Sequence, residues 1–543
     1  MNAFRTLLLV SCSTVMLAGC GADDIASPGA GAVVINNPAP TPAPSSPTPT
    51  PTTGGVTPAS ACPVINDPQG LRDRGTITGP TGTYRVCGLP QRLNVSSSLP
   101  KAAGVLYNIS GRVDVGTDQG PTEDAGDPTD VILTISPGVI VFADTGPSWM
   151  NVNRGNQIQA VGTATQPIIF TSRANVEGTT TDASAGQWGG VVLSGRAPVT
   201  DCAAPAATPG TIACERQTEG AVDPALYGGA TANDNSGTMS FVQIRYSGYV
   251  LSANSELQSL TTQGVGSGTV LNHIMSFNSS DDGAEFFGGR VGLKYYISVG
   301  AQDDNLDTDT GLKGNFQYVI VAQPLNATAA TADSIIEADT DNTTSGNTPR
   351  QNVHLANFTF IDRVANNADA ASILLRGETD YSMANGILVN TVANPCLRVS
   401  LAQTASTTQN AAIDEFGAPS FNSVVFSGCG ATPFLGASGP SNADVQALFT
   451  AGTNNNANYT STLANLFVNG ANETAVPAFD PSTWNGLTFN GIQVVPAGFF
   501  DKTTYIGAVK DATDTWYQGW TCNSTHASFG SGNTGDCTTI PTS

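Results

Sequence analysis

Residues 271–309 repeat themselves at an offset of 22 residues, and this recurrence limits the available folds more than any other feature of the chain. Asp281-Asp282 returns as Asp303-Asp304, Glu285 as Asp307, and Phe287 as Asp309. An apolar pattern keeps the same interval: one apolar residue, another three positions on, and a small or apolar residue two further. It occurs as Phe241, Ile244, Tyr246, then Leu271, Ile274, Ser276, then Leu293, Tyr296, Ser298, then Phe316, Val319, Val321, and finally Leu355, Phe358, Phe360. The first members stand 30, 22, 23 and 39 residues apart. A step near 22 fits one turn of a parallel β-helix, whose turns bury their apolar side only by stacking, and longer steps carry loops out of a corner. A sandwich also supplies many short strands, but it gives no reason for a charge register held over successive strands.

The prediction is therefore an all-β chain: a right-handed parallel β-helix over 126–430, an N-terminal cap region over 61–125 and a C-terminal cap or appendage over 431–543. Caps are needed because a solenoid otherwise ends in open strand edges. Within the C-terminal segment, "SNADVQALFTAG" and "YTSTLANLFVNG" each combine a polar start, helical apolar spacing and a Gly stop, and predict short helices.

The N-terminus reads as an export signal over 1–19. Arg5 is followed by the short apolar run "TLLLVSCSTVML", too short to span a bilayer as a stable helix. It ends at "LAGC", which resembles the lipobox of bacterial lipoproteins. That resemblance implies cleavage before Cys20, a diacylglycerol on its sulfur, and, with Gly21 rather than Asp next, an outer-membrane location in a Gram-negative host. Residues 20–60 form the anchor and tether. The run "NNPAPTPAPSSPTPTPTTGG" cannot bury a core, and its frequent Pro favours an extended polyproline spacer.

The formal net charge is −22, with 43 acidic residues and five lysines. Such a surface argues against nucleic acid as a partner and suits cations or basic ligands. Beyond Cys20 stand Cys62, Cys87, Cys202, Cys214, Cys396, Cys429, Cys522 and Cys537. An even number in an exported chain predicts disulfides, and the positions suggest the local pairs 62–87, 202–214, 396–429 and 522–537. No CxxC is present and His273, His354 and His526 are scattered, so a zinc site is not expected.

The blocks "LTISPGVIVFAD", "GTATQPIIFTS", "GQWGGVVLSGRAPV", "GVGSGTVLNHIMSFNSSDDGAEFFGGRVGLKYY" and "YIGAVKDATDTWYQGWT" together resemble a family of exported β-helix lipoproteins of Gram-negative bacteria. The resemblance covers most of 129–325 and 499–521. It implies the fold and an envelope location, and says little about activity. The stretches 200–237 and 324–350 read as insertions.

On a β-helix, residues one turn apart lie at about the strand spacing, ~4.8 Å. Asp281 then lies beside Asp303, Asp282 beside Asp304, Glu285 beside Asp307, with Asp309 completing the corner. Like charges at that distance repel, and three arrangements would accommodate them. The corner is solvated; or the seven carboxylates hold Ca²⁺, which accepts 6–8 oxygens in irregular geometry; or Asp282, Asp303 and Asp304 serve a glycoside hydrolase or polysaccharide lyase, where crowding keeps one acid protonated. "QDDN" has some likeness to the Asp-Asp pair of polygalacturonase-like hydrolases, but their Gly-His-Gly turn and Arg-Ile-Lys segment are absent. Arg290 is expected as a counter-ion to the corner, and Trp188, Trp516, Trp520 and His273 as packing residues. The leading expectation is a lipid-anchored, non-enzymatic binding or structural module for an envelope protein or a glycan.

Overall fold

The apolar pattern spaced three and then two residues apart has a backbone cause. In the computed structural model, which describes residues 55–122, 130–252, 255–325, 334–341, 346–365 and 371–542, the long strands Gly237–Arg245, Val270–Phe277, Gly292–Val299, Lys313–Ala322, Asn352–Asp362, Asp380–Asn390 and Ser420–Ser427 each bend once. The bend falls on Phe241, His273, Tyr295, Tyr318, Asn357, Asn385 and Ser423, all with φ between 49 and 63°. One left-handed residue rephases the two-residue alternation of a strand. Leu271, Ile274 and Ser276 therefore all point inward although they are not evenly spaced.

Left-handed backbone costs a non-glycine residue roughly 1–2 kcal/mol, and here neighbouring side chains offset it. The rings of Phe241, His273, Tyr295 and Tyr318 stack at 4.2, 4.3 and 4.8 Å between successive centroids. Asn357 and Asn385, the next two in the column, bind the C-terminal segment through their side-chain amides. Burial lowers the His273 pKa to about 4, so this imidazole stays neutral within the stack.

The long strands belong to a 15-stranded sheet, and the short strands Leu260–Gln263, Ala284–Phe287, Leu306–Asp309, Ile336–Ala338, Ile373–Leu375 and Leu397–Ser400 to an 11-stranded one. Pairing is parallel through both sheets from Gly82–Gly88 onward, apart from the antiparallel partner Arg72–Gly79. Leu271 pairs with Leu293, Leu293 with Phe316, and Phe316 with Leu355. This is a parallel β-helix, with the inward residues of both sheets in one continuous core. One register differs from expectation. Met239, Val242 and Ile244, not Phe241, Ile244 and Tyr246, continue the inner column, because Met239 pairs with Leu271. Phe241 is itself the bend, and Tyr246 faces outward.

The outer face of the long strands is apolar too. Met275, Phe277, Ile297, Val299, Ile320 and Ala322 form a second cluster with Phe467, Tyr517 and Trp520. Burial on both faces explains why "YYISV" and "YVIVA" read as continuous apolar runs. The cover comes from the C-terminal segment. After the helix Asn442–Ala451, whose Ser441 and Asp444 form a capping box, the chain runs back along the rod as a strap. The Asn385 amide meets the Phe479 carbonyl, Gln317 that of Asp501, Asn357 that of Tyr505, Gln243 that of Trp520, and Arg245 that of Cys537. The helix expected over 459–470 is not formed. Asn465 and Leu466 have positive φ, and Ala464 bridges Val468; the nearest helix is the single turn Ala471–Thr474. Four disulfides join Cys62–Cys87, Cys202–Cys214, Cys396–Cys429 and Cys522–Cys537. The last closes the end of the strap. Cys20 and the tether lie outside the described residues. Among the described residues no helix is long and apolar enough to cross a membrane.

Candidate metal centre

Successive short strands place like side chains one above another. Glu285 pairs with Asp307, and Phe287 with Asp309, at the 22-residue offset read from the sequence. The next rung extends the column: Asp307 pairs with Glu337, and Asp339 follows at the level of Asp309. The Asp-Asp pairs sit in the turn before each strand. There the backbone N–H of Asp304 donates to Asp282 Oδ1 at 2.9 Å, and that of Ser334 to Asp304 Oδ1 at 2.8 Å.

Of the three arrangements open from the sequence, the solvated corner is not what forms. Asp282, Glu285, Asp304, Asp307, Asp309, Glu337 and Asp339 are all buried, at 0–4% exposure; Asp281 and Asp303 are half-buried. The cover is the 200–237 insertion. Tyr227 lies against Phe287 at 6.2 Å, Thr218 accepts from Gln263 at 2.6 Å, and Thr200 reaches the Thr340 carbonyl at 3.3 Å. The insertion also brings a further acid, Glu219, toward Asp281 and Glu285.

Oxygens of Asp281, Asp282 and Asp303 lie within 4.8 Å of one another, as do those of Asp282, Glu285 and Asp307, and those of Asp304, Asp307 and Glu337. Asp282 and Asp307 each belong to two triplets. Arg290 does not neutralise them, contrary to expectation: it lies on the other side of the turn, where Asp414 is the charge that acts on it. The counter-ion is Arg376, which pairs with Glu337 and, at 3.2 Å, with Asp339. Burial, reinforced by neighbouring carboxylates, raises the pKa values of Asp282, Glu285, Asp307 and Asp309 well above the usual range. It raises Asp281 to about 7 and Glu219 to about 8. Asp309 Oδ2 is buried with no hydrogen-bond donor directed at it. All-oxygen ligands in irregular clusters are the donor set of Ca²⁺, and these residues fit that ion.

These shifts fix a pH dependence. Free carboxylates titrate near 4, so between about pH 4 and 8 the folded, ion-free protein holds more protons than the unfolded chain. Stability is then fully present below pH 4 and lost as pH rises. Asp73, Asp444, Asp480 and Asp511, lowered mainly by hydrogen bonds, oppose this only below about pH 4. His273 and His354, lowered by burial to about 4 and about 3, oppose it between about pH 4 and 6.5, but they are two groups against the larger set of raised carboxylates. In chelator, the melting temperature is expected to fall steadily from pH 4.5 to 8. A flat or rising profile would contradict the burial of ionisable acids described here.

Sequence reading missed Glu337, Asp339, Arg376 and Glu219. The acid-x-acid spacing of "EAD" at 337–339, matching "DTD" at 307–309, was the available signal, but a 30-residue step hid it. The other candidates resolve as packing. Trp188 and Trp520 are fully buried, their indole N–H groups donating to the carbonyls of Arg245 and Trp516 at 2.8 Å.

Fold and site together define a parallel β-helix with a buried carboxylate column under a lid. The family model described as a pectate-lyase-like beta helix domain matches residues 128–521, and the chain belongs to that family. No curated protein and no solved structure matches it.

Proposed function

We propose that the chain is a lipid-anchored cell-envelope module, held by Cys20 at the outer membrane, that binds an envelope protein or a glycan and is stiffened by Ca²⁺ in the acidic column. The observation that carries the calcium part is the set of three carboxylate triplets within 4.8 Å, with Asp282 and Asp307 shared between them. Burying that many like charges without a cation is costly, and Arg376 pairs with only two of them. The anchor rests on the lipobox, and the binding role on a rigid rod at the end of an extended tether. The experiment is thermal unfolding of the soluble domain in EGTA and in millimolar CaCl₂ at pH 7.5. Calcium is expected to raise the midpoint, since an ion held only by the folded state stabilises it by mass action. Equal midpoints would remove the ion.

The family description favours a second reading, a polysaccharide lyase or hydrolase using Asp282, Asp303 and Asp304. Asp282 and Asp304 are 4% and 0% exposed, which leaves a polymer no access to either. Incubation with acidic polysaccharides, followed by assay for unsaturated or reducing ends, separates the readings. Cleavage lost on Asp304→Asn would establish the enzyme.

A further inference from the structure

The chain has few cations, yet three of them line one cleft. Arg290, Lys294 and Lys313 border a hollow of about 270 Å³ between the outer face of the long sheet and strap residues Gln493, Val494, Pro496 and Phe499. The hollow is built by the strap. Gly292 has no side chain, and the Phe499 ring lies where its Cβ would point, 2.4 Å from that position. Asn315 donates its amide N–H to the Val494 carbonyl at 3.0 Å and ties the wall to the sheet.

Two of the three cations are already engaged. Lys313 pairs with Asp414 at 2.8 Å and is buried. Lys294 pairs with Asp501 at 2.9 Å, its ammonium 5.4 Å from the centre of the Phe499 ring. Arg290 is different. It is half-exposed, and among the described residues no hydrogen bond or ion pair reaches its guanidinium. A guanidinium offers a planar fork of donors that matches a carboxylate or phosphate. A second group is unsatisfied at the same place: Asn315 Oδ1, in a residue 2% exposed, has no donor. Because its Nδ2 is committed to Val494, the free atom is fixed as an acceptor, and it calls for a hydroxyl.

We propose that this cleft binds a small hydroxylated organic anion, its carboxylate or phosphate on Arg290, a hydroxyl on Asn315 Oδ1 and its carbon body against Phe499 and Val494. The volume lies just below the range of drug-sized pockets, so the ligand is one ring or a comparable open chain, not a polymer. The site is separate from the acidic column and holds whether or not that column takes an ion.

Isothermal titration of calcium-loaded soluble domain tests it with gluconate, glucose 6-phosphate, inorganic phosphate and neutral glucose. One organic anion is expected to bind at least tenfold more tightly than inorganic phosphate, with glucose silent. Whichever of gluconate and glucose 6-phosphate binds identifies the anionic group. Arg290→Gln, at a position in no ion pair, should keep the wild-type melting temperature and weaken binding at least tenfold. Lys502→Gln, at an exposed pair with Asp480, should leave binding unchanged. The proposal is overturned if neither organic anion binds, if glucose binds equally well, if Arg290→Gln binds like wild type, or if Lys502→Gln weakens binding as much.

Discussion

Asp307→Asn is expected to raise the melting temperature of the protein in EGTA while abolishing most of the gain that calcium gives. Asp307 sits between two triplets, against Asp282 and Glu285 on one side and Asp304 and Glu337 on the other. Without an ion its charge faces burial and like charges together, which is why its pKa rises. Asparagine has nearly the same shape, removes the charge and supplies a donor to the surrounding carboxylates. Relief should be roughly 1–3 kcal/mol, the scale of an unsatisfied buried polar group, with charged groups at the upper end. With calcium present the sign reverses, because the variant lacks a ligand that two triplets share. A purely structural carboxylate would give the opposite result: destabilisation in EGTA and an unchanged calcium increment.

Arg350→Met should do the reverse, because there the protein supplies its own cation. Arg350 is fully buried and meets Glu415 at 3.0 Å, Asp380 at 3.3 Å and Glu378 at 3.7 Å. Its other nitrogen donates to the Gln403 carbonyl at 3.0 Å. Removing one partner of a buried ion pair strands the rest, typically at about 3–5 kcal/mol, and here three acids are stranded. Burial raises Asp380 to about 6 and Glu415 to about 8 even with Arg350 present. In the variant they are protonated in the folded state at pH 5, so the loss should shrink there relative to pH 8. Calcium should not rescue it, since this cluster stands apart from the acidic column. A pH-independent loss would point to lost packing of the arginine stem instead of stranded charge.

The contrast between the two clusters shows what the sequence carried. The Glu285–Asp307 register was legible because nothing interrupts the 22-residue turn between them. The inner column was legible from Leu271 onward because its uneven apolar spacing recurs in each long strand, even across the 39-residue step from Phe316 to Leu355. It was misplaced at 239–246 because the left-handed residue Phe241 is itself apolar and imitates a core position. Glu337 and Asp339 belong to the same column, but an insertion lengthens their turn. Arg290 is near the acidic corner in sequence and faces the opposite way, since the turn 288–291 carries the chain from one sheet to the other. Burial was the least legible property. It depends on the 200–237 lid and on the strap, segments without periodicity whose place is set by single side-chain-to-carbonyl bonds such as Asn385 to Phe479. The Arg350 cluster gathers residues from 350 to 415, and no local spacing announces it.

The cation site proposed for the carboxylate column rests on its shared carboxylate triplets. Equilibrium dialysis of the soluble domain against radioactive calcium, with bound ion counted per chain for wild type, Asp282→Asn and Asp307→Asn, tests it most directly. At least one tightly held ion is expected in the wild type, with a clear loss in each variant, since each substitution interrupts two triplets at once. Wild-type protein that retains no calcium above the dialysis background, or variants that retain as much as wild type, would contradict it.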